Sequence, residues 1–461
     1  MTAVARSFSR LTLAGKILFT VVPILAILSG GLIVLIVVAG KPIVDFLAIN
    51  IWLVRFVVAA TAVLLMSIPS AFLIIYMEMK VIALMNLRIG PDRVGPYGSL
   101  LSVVHGLKVL AKEDFSPTGA DRLVFTLAPV AVFMATILSL LVLPFAPGLF
   151  GADMNIGLLY LFAVSGMTVV GLLMGGWSSF NKYSLIGGLR SAAQVVSYEI
   201  PLTLSVVGLL LLAGTMSLNH IVELQGPYRD AAGVLHGGGW FTDWFVFRQP
   251  LGALIFFIAA TAEANRTPFD LTEADSEIVA GFATEYSGMR YGFFYFAEYV
   301  NVFLVSGLIV TLFFGGWNGP FPWPWPITLN IDPGSMGLGL LFALLIVPPL
   351  LVLALAAPFY VGRSSLKWWQ ALIIGFVLFN LLVVVAIGGW AFVSWNWVGG
   401  LLWFLLKSYV FVFTFVWMRG TLPRVRIDQL MGFAWKWLLP AALLNLFVTA
   451  AALVVVPQLQ R

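Results

Sequence analysis

Carboxylate side chains are concentrated in one short part of the sequence. The segment from Glu263 to Glu298 spans 36 residues and holds seven of the chain's 20 acids: Glu263, Asp270, Glu273, Asp275, Glu277, Glu285 and Glu298. Two further acids adjoin apolar runs, Glu199 within Ser197-Tyr-Glu-Ile-Pro201 and Glu78 after the run 52–77. A carboxylic acid in an apolar medium can keep its proton near neutral pH, which a proton relay requires. The pattern therefore predicts a file of proton-exchanging acids.

A structural role for the same acids is the main alternative. The cations available to pair with them are Arg266, Arg290 and Lys407. The acidic segment could also be a solvent-exposed loop, because Pro268 and the polar residues 267–276 interrupt the flanking apolar runs. A plain loop does not account for Glu298, which lies about two turns into the following apolar run. The sequence favours the relay and leaves structural pairing open.

The composition determines what surrounds these acids. Of 461 residues, 61% are hydrophobic and 10% are charged, whereas soluble domains average about 45–50% apolar and about 25% charged residues. The chain has no cysteine, which excludes thiolate-bound iron–sulfur clusters and disulfides within it. The three histidines are scattered, and no glycine-rich phosphate-binding motif is present. We therefore expect an integral membrane protein whose redox centres, if any, lie on partner subunits.

Long apolar runs predict the membrane-spanning segments. Only helices and closed barrels satisfy backbone polar groups in lipid, and a helix needs about 20 apolar residues to cross it. The chain is thus predicted to be an all-α, polytopic transmembrane bundle, one membrane domain over 1–461. Its eleven spans are 17–39, 52–77, 123–144, 156–177, 193–213, 251–264, 292–314, 337–357, 371–393, 399–418 and 437–456.

An amphipathic helix is predicted between the second and third spans. Its apolar residues recur with the helical period and are interleaved with Lys108 and Lys112: Leu100, Val103, Val104, Leu107 and Leu110. Such a helix lies in the membrane interface.

The basic residues indicate the orientation of the chain. Threading it through eleven spans places 19 of the 25 Lys and Arg on one face and only Lys407 inside a span. Cytoplasmic loops of membrane proteins are enriched in these residues. We therefore expect a cytoplasmic amino terminus and an external carboxy terminus. The net charge of +5 then reports orientation, and no nucleic-acid partner is expected.

Several segments carry a family resemblance. They are Arg88-Ile-Gly-Pro-Asp-Arg-Val-Gly-Pro96, Gly176-Trp-Ser178, Ala193-Gln-Val-Val-Ser-Tyr-Glu199, Glu263-Ala-Asn-Arg-Thr-Pro-Phe-Asp270, Glu285-Tyr-Ser-Gly288, Ala297-Glu-Tyr299 and Leu422-Pro-Arg-Val-Arg-Ile-Asp-Gln-Leu430. In them the chain resembles the H-type membrane subunits of proton-pumping NADH:quinone oxidoreductase, respiratory complex I. The match runs from Tyr76 to Gly316 and again from about Trp403 to Val455.

The resemblance implies an eight-helix family core with three added spans. The core is expected over 51–316 and 399–461, an added amino-terminal span within 1–50, and an inserted two-span hairpin over 330–395. It also implies that the protein docks the hydrophilic redox arm, forms much of the quinone chamber and begins the proton path. Quinone reduction would thereby be coupled to proton translocation.

Site residues are assigned by this resemblance. The proton path would comprise Glu199, Glu263, Glu285 and Glu298. The quinone-binding cavity would comprise Glu78, Arg88, His105, Arg266, Phe269, Asp270, Glu273 and Glu277. Two positions depart from the family pattern, since Met79 stands where an arginine is usual and His105 where an aspartate is usual. A cation and an anion are lost together, which indicates a compensated pair.

The same resemblance implies the cofactors and partners. We expect no metal and no cofactor bound by this chain, with quinone, either ubiquinone or menaquinone, as the substrate. FMN and iron–sulfur clusters are expected on partners, which include the hydrophilic quinone-site and terminal iron–sulfur subunits, adjacent small membrane subunits and lipid. Two alternatives remain: a scaffold whose acids are structural ion pairs, and the homologous subunit of a ferredoxin- or deazaflavin-driven complex or membrane-bound hydrogenase.

Overall fold

A computed structural model describes residues 52–147, 149–226, 228–229, 235–236, 241–270, 280–320 and 396–455. The predicted spans 17–39, 337–357 and 371–393, with the added amino-terminal span and the inserted hairpin, lie outside these residues, as do Glu273 and Glu277. Residues Phe56–Trp323 and Gly399–Arg461 form one compact unit, and the fold described below belongs to it. The other unit, Met1–Arg55 and Pro324–Val398, lies almost wholly outside the described residues.

Helices make up most of the described part of the chain. In order they are α1 (Trp52–Met85), α2 (Leu101–Ala111), α3 (Arg122–Leu140), α4 (Gly157–Ser165), α5 (Met167–Ser178), α6 (Lys182–Ala213), α7 (Leu218–Leu224), α8 (Phe245–Arg248), α9 (Pro250–Glu263), α10 (Gly288–Phe313), α11 (Asn396–Thr421), α12 (Ile427–Phe433) and α13 (Leu439–Val455). A π-helical turn, Ala434–Leu438, joins α12 to α13. A short antiparallel hairpin pairs β1 (Tyr228–Arg229) with β2 (Leu235–His236).

Seven helical segments of the described residues are long and apolar enough to cross a membrane. They are Met66–Met85, Arg122–Leu140, Gly157–Ser178, Lys182–Ala213, Gly288–Phe313, Gly399–Thr421 and Ile427–Val455. Each overlaps a span predicted from the sequence, so the predicted all-α membrane bundle is confirmed. The remaining predicted span in this part, 251–264, is α9, whose 14 residues are fewer than the about 20 that cross a bilayer alone.

The predicted amphipathic helix is α2. Its inner face packs closely, because a Cβ on Gly106 would lie 3.0 Å from the Phe72 ring of α1, and one on Gly292 of α10 would lie 2.9 Å from Val109. The apolar residues of its other face are exposed, for example Leu107 by 60% and Leu110 by 59%. This arrangement suits a helix that presents apolar side chains to a membrane interface.

Glycines on α6 allow two close approaches beside the acidic segment. A Cβ on Gly188 would lie 3.1 Å from the Cα of Gly176 on α5, so these two helices cross with almost no side chain between them. A Cβ on Gly187 would lie 2.6 Å from the Cα of Gly281, in the 3₁₀ turn Gly281–Ala283. That turn precedes Glu285, so α6 fixes the position from which the Glu285 side chain extends.

We expect Gly187→Ala to destabilise the protein. The added methyl group would press on backbone atoms of Gly281, which cannot rotate away, and overpacking of this kind costs about 1–3 kcal/mol. Gly432→Ala is the matched control, since nothing lies within 4 Å of a Cβ at Gly432. Thermal unfolding of the detergent-purified protein, followed by tryptophan fluorescence, should show a lower midpoint for Gly187→Ala and an unchanged midpoint for Gly432→Ala. Equal midpoints would contradict the close approach of α6 to this turn.

Candidate functional site

Glu78, near the end of α1, lies between two arginines from other parts of the fold. Nη1 of Arg419, in the last turn of α11, lies 2.7 Å from Glu78 Oε1. Nη1 of Arg266, just after α9, lies 3.4 Å from Glu78 Oε2. Glu78 and Arg266 are only 9% and 6% exposed. The two ion pairs tie the ends of α1, α9 and α11 together around one carboxylate.

A cavity of about 350 Å³ opens beside this carboxylate. Its lining comes from the end of α1 and from the segment that follows: Glu78, Met79, Ile82, Ala83, Arg88, Ile89, Gly90 and Pro91. The wall is mostly apolar, with one acid and one cation. Cavities of about 300–1,000 Å³ with few polar groups are typical of small-molecule sites. Two of the predicted cavity residues, Glu78 and Arg88, are thus brought to one cavity.

The segment that carries Arg88 folds back on itself. A Cβ on Gly98, where φ is +76°, would lie 2.3 Å from the carbonyl oxygen of Pro91, so only glycine permits this approach. The Tyr76 hydroxyl of α1 donates to the carbonyl oxygen of Tyr97 at 3.0 Å. The fold of this segment leaves three large apolar side chains more than three-quarters exposed: Leu87, Ile89 and Tyr97.

Residues 264–270 form a fixed turn after α9. The Gln194 side chain of α6 donates from Nε2 to the carbonyl oxygens of Ala262 at 2.8 Å and Phe269 at 2.7 Å. The Phe269 ring packs against Tyr198, with ring centroids 5.5 Å apart, and Asp270, only 2% exposed, has Oδ2 3.4 Å from Arg424 Nη2. Phe269 and Asp270 therefore lie within the bundle. They do not line the cavity beside Glu78.

Glu199 and Glu263 form a pair of acids between helices. Glu199 is on α6, Glu263 is the last residue of α9, and their carboxylates are close enough for their charges to interact. Oε1 of Glu199 lies 3.5 Å from where a Cβ on Gly166 would stand, which is the residue that separates α4 from α5. Both acids are partly buried. Within the described residues, neither carboxylate has a cationic partner.

Glu285 is held in the turn before α10. Its Oε1 accepts a hydrogen bond of 2.6 Å from Nδ2 of Asn181, the residue that caps α6. The hydroxyl of the next residue, Tyr286, donates to the carbonyl oxygen of Phe125 at 3.1 Å. Burial raises the pKa of Tyr286 to about 12, so this hydroxyl stays protonated and keeps its donor role. The turn is therefore anchored to both α3 and α6.

The last two predicted site residues lie on different helices. Glu298 is partly buried on α10, about three turns from its start at Gly288. His105 is exposed on α2 and does not line the cavity beside Glu78.

Structural pairing accounts for some of the acids only. Of the three cations considered from the sequence, Arg266 pairs with Glu78, and Arg290 pairs with Asp114 at 3.1 Å. Lys407 instead donates from Nζ to the carbonyl oxygens of Phe314 and Asn318, each at 2.7 Å. In the part of the chain that the structure describes, none of these three cations forms an ion pair with Glu263 or Glu285.

Sequence reasoning missed three side chains that organise the site: Arg419, Gln194 and Asn181. Signals for each were present. Arg419 ends an apolar run at the same basic face as Glu78, Gln194 is a polar residue at the start of a predicted span, and Asn181 is a helix-capping residue type.

Known proteins resemble this chain over most of its length. A family profile described as NADH dehydrogenase matches residues 57–450. The H-type subunit of NADH-quinone oxidoreductase from Brevibacillus brevis is 42% identical over 395 residues, 86% of this chain and 92% of that protein. The protein of the same name from Dehalococcoides mccartyi is 39% identical over 392 residues, 85% of each chain. That of Geobacillus kaustophilus is 42% identical over 390 residues, 84% of this chain and 91% of that protein.

Proposed function

The chain belongs to the NADH dehydrogenase family, and from this membership we propose that it is the membrane subunit of a proton-translocating NADH:quinone oxidoreductase. Its relatives are named as the H-type subunit of NADH-quinone oxidoreductase. In this role the chain forms much of the quinone-binding chamber and the first part of the proton path. It couples quinone reduction to proton translocation without a redox centre of its own.

The Glu199 and Glu263 pair is the observation that carries the coupling role. The charges of these two carboxylates interact, and both are partly buried, so a charge change nearby alters the protonation of both. The absence of a cationic partner among the described residues leaves the pair free to respond to such a change. Reduction of a quinone adds negative charge before protons arrive, and this charge is the proposed trigger.

The cavity beside Glu78 supports the quinone-binding role. A quinone has two carbonyl oxygens that accept hydrogen bonds and an apolar tail, so it needs a donor at one end of an apolar space. Arg88 supplies a donor in the cavity, while Met79, Ile82 and Ile89 supply the apolar wall. Arg266 and Arg419 hold the Glu78 carboxylate in place at that wall. We propose that His105, Phe269, Asp270, Glu273 and Glu277 complete the chamber in the assembled complex.

The exposed residues at the same end of α1 support docking of partner subunits. Leu87, Ile89 and Tyr97 present apolar surface next to the exposed Arg88 and Arg93. A patch of this kind is typical of a protein interface. We propose that it faces the cytoplasm of a bacterium and contacts the hydrophilic redox arm, which carries the FMN and iron–sulfur clusters.

Purification through a tag on this chain tests the proposal. Partners are identified by mass spectrometry, and quinone reduction is assayed with NADH in the presence and absence of a quinone-site inhibitor. Co-purification of flavin and iron–sulfur subunits with inhibitor-sensitive NADH:quinone activity is the expected result. A chain that purifies alone, or with a nickel hydrogenase module, would overturn the proposal. Reduction by ferredoxin or a deazaflavin instead of NADH would assign the chain to the homologous complexes.

A further inference from the structure

A ladder of three tyrosines runs along one face of α10. Tyr291, Tyr295 and Tyr299 are spaced four residues apart, which places them above one another on a helix. The ring centroids lie 6.0 Å apart in the first pair and 4.9 Å apart in the second, and the hydroxyls of Tyr295 and Tyr299 are 3.1 Å apart. Exposure falls along the ladder from 37% at Tyr291 to 2% at Tyr299.

The Arg266 side chain packs against the buried end of this ladder. The guanidinium carbon of Arg266 lies 4.4 Å from the centroid of the Tyr299 ring, within the range of a cation–π interaction. Arg266 stands outside any helix, after Asn265 with a φ of +49°, so its side-chain direction depends on what the side chain contacts. Its contacts include the Tyr299 ring and the Glu78 carboxylate.

We propose that Tyr299 and Tyr295 are positioning residues that hold Arg266 on Glu78 at the polar end of the cavity. The inference rests on the proposed quinone-binding role of that cavity. The Tyr299 ring supplies the face on which the guanidinium lies, and the hydroxyl bond to Tyr295 fixes the tilt of that ring. Because Arg419 already occupies Glu78 Oε1 at 2.7 Å, Arg266 is left to bind Oε2. Without the ring, Arg266 can leave Oε2, and the position and charge balance of the Glu78 carboxylate at the cavity wall change.

The experiment compares Tyr299 variants in the assembled complex, with decylubiquinone as the probe. Tyr299→Leu removes the aromatic face and is expected to raise KM for decylubiquinone about tenfold, with kcat within about twofold of wild type. Tyr299→Phe keeps the face and should stay within about threefold of the wild-type KM. Tyr160→Leu, which replaces a partly buried tyrosine of α4, is the matched control and should leave KM unchanged.

A double variant tests whether Tyr299 acts through Arg266. If it does, Tyr299→Leu adds no further rise in KM once Arg266→Met is present, because the side chain that it positions is gone. Should Tyr299→Leu fail to assemble, Tyr299→Met and Tyr299→Phe provide the same contrast between a flexible apolar side chain and an aromatic face.

Three outcomes would overturn the inference: a wild-type KM for Tyr299→Leu, equal effects of Tyr299→Phe and Tyr299→Leu, or additive effects with Arg266→Met. The second would mean that the hydroxyl matters and the ring face does not, as in proton transfer through the phenols. A wild-type complex without NADH:quinone activity would instead overturn the proposed function itself, so the two failures are distinct.

Discussion

Glu199→Gln in the assembled complex is expected to abolish proton translocation and to lower coupled quinone turnover by at least about tenfold. Glutamine has nearly the same shape but cannot take up or release a proton. The pair with Glu263 then loses one of its two exchangeable sites, and Glu263 loses the charged neighbour with which it interacts. Translocation is measured in inverted membrane vesicles with a pH-sensitive dye and NADH as the fuel, alongside NADH:quinone turnover.

Assembly distinguishes this result from a structural effect. The matched control is Glu223→Gln on α7, where the carboxylate is exposed and lies 3.4 Å from His220 of the same helix. Both variants should yield the assembled complex at wild-type levels. If Glu199→Gln assembles and translocates normally, the relay is wrong. If it loses the complex while Glu223→Gln does not, the acids are structural and the scaffold alternative stands.

A variant of a second acid, Glu285, distinguishes a relay of several acids from a single essential carboxylate. Glu285 is fixed by Asn181 in the turn before α10, in another part of the fold from Glu199. If protons pass along a file, Glu285→Gln should also impair translocation with assembly intact. Wild-type translocation in Glu285→Gln would remove Glu285 from the proton path.

The helices were predictable because the bilayer imposes a length on apolar runs. Hydropathy detects only the apolar part of a helix, which is why the span predicted over 193–213 is the central part of α6, a helix that begins at Lys182. Residues 182–192 remain helical because Asn181 caps the amino terminus and glycines let neighbouring segments pack against them. The break at Gly166 within the span predicted over 156–177 had no signal, since glycine is common in membrane helices.

The acids of the candidate site could be predicted from the sequence, but the side chains that contact them could not. Charges are rare in apolar runs, so Glu199, Glu263 and Glu298 are visible in the sequence. Which cation meets which acid depends on how the helices pack. Arg419, which pairs with Glu78, lies 341 positions further along the chain. The Tyr299 ring beneath Arg266 depends on packing in the same way, although the four-residue spacing of the tyrosines was present.

Glu78→Gln is expected to reduce the stability of the complex more than Arg419→Gln does. Removing Glu78 breaks two ion pairs at once, those with Arg266, which is 6% exposed, and with Arg419, and breaking a buried ion pair costs about 3–5 kcal/mol. Removing Arg419 leaves Glu78 with Arg266 at 3.4 Å, so the carboxylate keeps a cation, and the expected cost is about 1–3 kcal/mol. The measurements are the thermal midpoint and the yield of the assembled complex.

Comparison of the stability lost in Glu78→Gln and in Arg419→Gln tests whether Arg266 can pair with Glu78 when Arg419 is absent. Arg122→Gln, at an exposed arginine in the first turn of α3, is the control and should leave both the thermal midpoint and the yield unchanged. If Arg419→Gln lowers the stability more than Glu78→Gln does, Arg266 is not an effective partner of Glu78. Tyr299 would then have no ion pair to position. If both variants match Arg122→Gln, the carboxylate is not needed to hold α1, α9 and α11 together. The expected order would instead show that one acid at the wall of the cavity joins the ends of three helices, because each of its two arginines comes from a different helix end.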